Sequence, residues 1–127
     1  MGTRARVDDG PAYFSIKIPR GDDVSRSWEF LTDIAGVDGA TADVPLDISG
    51  RTYSSSITVT LGGTPVVHPT CTIPTGTDGL LAWTLTDTDT DALTQPRYVF
   101  DVIENPGTAG ERTVILGDIL MTGRATP

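Results

Sequence analysis

An all-β domain is what this sequence predicts, and three observations predict it. Apolar residues recur at every second position in several runs, glycine and proline break the chain between those runs, and no helical period holds for three turns. The 127 residues include 14 Gly and 9 Pro, which suits short strands joined by many turns. An antiparallel β-sandwich of six to eight strands follows, with a partly open barrel as the alternative.

The elements can be justified in order. "AYFSIKI" (12–18) places Phe14, Ile16 and Ile18 on one parity, and "PRGDD" turns the chain. "SRSWEFL" (25–31) repeats the alternation with Trp28 and Phe30 inward, so a hairpin of these two runs is expected. Residues 32–50 carry Gly, Asp and Pro every few positions and read as a long loop with at most a short strand. In "TYSSSITVTL" (52–61), Tyr53, Ile57, Val59 and Leu61 share a face. "VVHPTCTIP" is a short irregular strand, and Pro65 and Pro69 place it at a sheet edge because proline cannot donate to a central ladder. "DGLLAWTLT" (78–86) points Leu81, Trp83 and Leu85 inward.

"TDTDTDALTQPRY" is expected to make one short helical turn near 87–94, pinned to the core by Leu93 and ended by Pro96. "RYVFDVIEN" (97–105) and "RTVILGDILMTG" (112–123) are apolar on both faces and read as central strands joined as a hairpin. Gly117 there marks a bulge or the close approach of another backbone. The expected core is Phe14, Ile16, Trp28, Phe30, Ile57, Val59, Leu81, Trp83, Leu85, Leu93, Tyr98 and Phe100. The sandwich, immunoglobulin-like or related, is placed at 12–122, between flexible arms at 1–11 and 123–127.

Charge narrows the function classes. A net charge of −8 repels phosphate backbones and anionic lipid, so neither nucleic acid nor membrane is an expected partner. No apolar run approaches the roughly 18–20 residues of a membrane span. "MGTRARVDDGP" lacks the apolar core of a signal peptide, and Cys71 is the single cysteine, so synthesis and folding in a cytoplasm are expected.

The chemistry-bearing residues favour bland roles. Asp87, Asp89 and Asp91 have the D-x-D-x-D rhythm of a calcium loop, but the sixth position is Ala92 and the twelfth Tyr98, where an EF-type loop needs Gly and Glu. A looser calcium site is the alternative to a polar turn. His68 lacks the further Cys or His that a zinc site needs. His68, three residues before Cys71, points to the opposite face of a strand, so Cys71 lacks a base in reach and reads as small apolar filler. No serine sits in a G-x-S-x-G setting, no Gly-rich phosphate loop follows a strand, and Arg20-Gly21-Asp22 is a three-residue match with no function assigned. No enzyme and no cofactor are expected.

A resemblance adds to this. "PLDISGRTYSSSITV" followed by "TDGLLAWTLTDTDTDALTQPRYVFDVIENPGTAGERTVILGDILMTGRAT" resembles a recurrent module of tailed bacteriophages, and "YFSIKIPRGDDVSRSWEFLTD" resembles its start. The likeness covers residues 12–126 and is to the N-terminal, virion-attaching domain of siphophage upper baseplate proteins and related stand-alone phage proteins. It implies a non-enzymatic virion part, made in the bacterial host cytoplasm. Such a part docks on tail, baseplate or neck proteins in several copies or as a homo-oligomer. A capsid decoration or head-fibre protein is a close variant, and a calcium- or carbohydrate-binding sandwich module is the reading from another class. Contacts are expected on Thr3, Arg4, Arg6 and Arg124 of the arms and on the 33–47 loop.

Overall fold

A computed structural model describes residues 3–6, 11–33 and 43–123 and shows ten strands in two five-stranded sheets. The strands are β1 (Thr3–Arg6), β2 (Ala12–Pro19), β3 (Val24–Asp33), β4 (Asp43–Pro45), β5 (Tyr53–Thr58), β6 (Pro65–Val67), β7 (Thr70–Thr75), β8 (Leu80–Leu85), β9 (Arg97–Glu104) and β10 (Arg112–Thr122). One sheet runs β1-β3-β8-β7 with β4 added to β3, and the other runs β2-β10-β9-β5-β6. The count exceeds six to eight because β1, β4 and β6 hold only four, three and three residues. Such pieces are too short to show a period in sequence.

The pairing is antiparallel except where the N-terminal strands join, β1 parallel to β3 and β2 parallel to β10. The expected hairpin of β2 and β3 does not form. Their inward faces, Ile18 on one and Trp28 and Phe30 on the other, instead face each other across the core from different sheets. Alternation gives a strand's buried face but not its neighbour. "VVHPTCTIP" likewise divides into two edge strands, β6 in one sheet and β7 in the other, with Pro69 between them. Residues 3–6, expected within a free arm, pair as β1 against Trp28–Leu31.

The order β3-β8-β7 against β10-β9-β5-β6 is the B-E-D and G-F-C-C′ arrangement of immunoglobulin-type sandwiches. Tyr98 opens β9 in the position of that fold's tyrosine corner, its hydroxyl accepting from the Gln95 amide at 2.9 Å. Two residues later, where antibody domains carry a disulfide cysteine, stands Phe100. It stacks on Trp28 from the facing sheet with centroids 6.2 Å apart. Trp83 closes the cluster, 5.5 Å from Phe100 and edge-on to Trp28 at 5.7 Å. Aromatic packing thus ties the sheets where a crosslink is absent, each such pair adding roughly 0.5–1.5 kcal/mol beyond area burial.

The rest of the expected core is buried or packed against it, with one correction. Val59 is 51 % exposed and Leu61 74 % exposed. β5 ends at Thr58, and the ladder to β6 slips between Ile57 and Thr58. That irregularity buries Thr58 and throws the next residues into the turn.

Candidate functional site

Thr86 begins the short helix α1 (Asp87–Asp91), which sits at the corner between β8 and β9. The Thr86 Oγ1 accepts from the Asp89 amide at 3.2 Å, and Asp89 Oδ2 accepts from the Thr86 amide at 3.0 Å, a reciprocal capping box. Buried Thr90 docks the turn on the β2–β3 connection, donating to the Asp22 carbonyl at 2.8 Å and accepting from the Gly21 amide at 3.0 Å.

The three aspartates therefore serve different partners. Asp87 Oδ1 accepts from the Thr88 amide at 2.7 Å, Asp89 closes the cap, and Asp91 lies 3.9 Å from Arg20. No group of three metal-ligating side chains occurs among the described residues. Arg20-Gly21-Asp22 lies in the turn that holds α1: the Arg20 amide donates to the Thr122 carbonyl at 3.0 Å, and Gly21 takes a φ of 84°.

His68 sits opposite β5, its Nδ1 3.1 Å from the Ser55 carbonyl and 3.2 Å from Ser56 Oγ. Asp101 accepts from the Ser56 amide at 3.2 Å, so Ser, His and Asp meet. The wiring is not that of a hydrolase, because the same imidazole nitrogen faces the serine and a backbone carbonyl while the carboxylate is bound to an amide. Burial raises the Asp101 carboxyl above its ordinary value, against the Ser56 hydrogen bond and His68, which lower it. Cys71 is half-buried on β7, and desolvation pushes its thiol up to about 11.

Glu104 is a buried carboxylate that sequence reasoning missed. Arg51 approaches both its oxygens at 3.3 Å, the Arg112 Nε lies 3.4 Å away, and the Tyr53 hydroxyl donates at 3.0 Å. Burial, then the adjacent Glu104 charge, drives the Tyr53 phenol far above its usual range. The cluster joins β5, β9 and β10. Its signal in sequence was slight: one Glu at an inward parity of "RYVFDVIEN".

The two outer faces of the sandwich differ in character. On the β3-β8-β7 sheet the outward positions are Ser25, Ser27 and Glu29, then Leu80, Ala82 and Thr84, then Thr70 and Thr72. Leu80 is the large apolar group among them, and Leu31, next on the same parity of β3, is a second one, 2 % exposed. On the β2-β10-β9-β5-β6 sheet, Tyr13 is 65 % exposed, and Leu116, Leu120, Val99 and Ile103 all point outward with partial exposure. Val66 on β6, 44 % exposed, extends the same side. Cross-strand register sets Leu116 between Tyr13 and Asp101, and Leu120 between Lys17 and Arg97. This explains why β9 and β10 read as apolar on both faces: one face fills the core, and the other covers the outside of the sheet.

Of the expected contact residues, Thr3, Arg4 and Arg6 lie in β1, at an edge of the other sheet. Arg124 lies outside the described residues, as do 34–42 of the expected contact loop, whose base is closed by pairing of β4 with Leu31–Asp33. No protein-family model matches this chain, and no curated protein matches it.

Proposed function

We propose that the chain is a non-enzymatic structural part of a tailed bacteriophage virion, docking onto tail, baseplate or neck proteins through a strand edge and its terminal segments. The observation that carries this is the open edge of β2. Among the described residues, three of the four sheet edges are blunted in ways that discourage strand addition. β1 and β6 are short, and β7 carries Pro74 beside an irregularity between Thr72 and Thr75.

β2 runs eight residues, pairs with β10 on one side and bears a single charge, Lys17. In a parallel ladder alternate residues turn both backbone groups to the same side. Tyr13, Ser15 and Lys17 therefore present theirs to the open edge, where Arg26 takes the Lys17 carbonyl at 3.1 Å. The stretch around Tyr13 and Ser15 is left as a template for a neighbour's strand. The aromatic core supports the role too, because a body that transmits contacts within a particle needs fixed packing.

Quantitative peptide mass spectrometry of gradient-purified particles tests the proposal. The chain is expected in a fixed multiple of the portal or tail-tip copy number. Its absence from intact particles, with abundant free chain in the lysate, contradicts a virion role.

A further inference from the structure

We infer that the outer face of the β2-β10-β9-β5-β6 sheet packs against the same face of a second copy of this chain. The inference does not rest on the virion reading and holds for the isolated protein.

In a two-layer sandwich each outer face meets water, and the outward positions of half-buried strands are ordinarily polar. The β3-β8-β7 sheet follows that rule except at Leu31 and Leu80, which lie towards one end of it. The other sheet breaks it on its two central strands, where Val99, Ile103, Leu116 and Leu120 adjoin exposed Tyr13. Clustered apolar groups rimmed by polar ones mark an association surface.

Charge identifies the occupant. The chain carries a net −8, so two copies repel one another over most of their surfaces. The outward charged groups on these strands are Lys17, Arg97, Asp101 and Asp118, two of each sign, and they cancel. Lys17 and Arg97 flank Leu120 at one end, while Asp101 and Asp118 lie further along the strands. A two-fold contact that reverses strand direction brings the basic end of one copy toward the acidic middle of the other, the self-complementarity such an interface requires.

The size is adequate as well. Five strands about 4.8 Å apart make a face roughly 19 Å wide, and the eight residues of β9 make it roughly 27 Å long. Before side-chain relief that is roughly 500 Å² per partner, below the roughly 800 Å² of a standard interface and suited to a modest, reversible contact.

Sedimentation equilibrium of the whole chain, from a few to about 100 μM, tests this over the range where modest interfaces assemble. A reversible species of twice 13.4 kDa is expected. Val99→Glu with Leu116→Glu should weaken it by at least about tenfold, as losing central apolar contacts does, with the circular dichroism spectrum unchanged. Ser25→Glu on the opposite face should leave it intact. If the double variant misfolds, Tyr13→Ala with Leu120→Ser serves in its place, with the same weakening expected. A wild-type monomer throughout, or a dimer that survives the outer-face variants and dissociates with Ser25→Glu, overturns the inference.

Discussion

The indole nitrogen of Trp83, on β8, donates to Ser55 Oγ, on β5, at 2.9 Å across the interior of the sandwich. Ser55 in turn donates to the Asp101 carbonyl at 2.5 Å. Trp83 is 0 % and Ser55 2 % exposed, so no water takes either place from the surface. Ser55→Ala should therefore leave a buried N–H unsatisfied and cost about 1–3 kcal/mol. Urea denaturation reads this as a lower midpoint with an unchanged slope.

Gly117 is a second fixed point. It lies in register with Phe14 on one side and Phe100 on the other, and a methyl group there would overlap the Phe14 carbonyl oxygen and the Phe100 ring. Gly117→Ala should destabilise by about 3 kcal/mol or more, at the upper end of overpacking costs, because the obstacle includes backbone. A melting temperature lowered by less than a few degrees would show that the two strands can part to make room.

The aspartate run is predicted to act as a cap. Asp89→Ala and Thr86→Ala should each cost about 0.5–2 kcal/mol, because each removes one of the two reciprocal bonds, and the double variant should depart from the sum because both bonds close the same turn. Calorimetric titration with calcium should give only heats of dilution. A binding heat abolished by Asp87→Ala and Asp89→Ala would assign these carboxylates to an ion instead.

Asp101 predicts a pH dependence whose sign follows from its raised carboxyl. The folded state holds that proton more tightly than the unfolded state does. Its contribution to stability is thus present below the unfolded value and lost as pH rises through the folded one. Asp101→Asn, which can still accept from the Ser56 amide, should flatten this part of the stability profile and raise stability at neutral pH. A wild-type profile reproduced by the variant would assign the titration to another group.

Cys71 should react slowly. With its thiol raised to about 11 by burial, little thiolate exists near neutral pH. Ellman's reagent should modify the native chain far more slowly than the chain in guanidinium, and a rate close to the unfolded one would mean that β7 detaches readily from β8.

Strand identity was legible wherever one face was apolar and the other polar. Trp28, Trp83 and Leu85 announced their orientation, and "TDTDTDAL" announced its capping turn through Thr86 and the acids after it. Partnership was not legible, because period-2 alternation is the same whichever sheet a strand joins; β2 and β3 therefore read as a hairpin and part in the structure. Val59 was missed because the irregularity at Thr58 depends on pairing with β6. The apolar outer face was visible in β9 and β10, but it passed for a sign of central position alone. The bonds of Glu104 to Arg51 and Arg112 join residues 53 and 8 positions apart, and no local pattern reports them.

Amide hydrogen exchange, compared between the free chain and intact purified particles, tests the docking role most directly. Amides of Tyr13 and Ser15, which face the open edge of β2, should exchange fast in the free chain and slow by at least about tenfold in the particle, as newly paired strand amides do. Equal rates in both states along β2 and β1 would contradict docking through these strands.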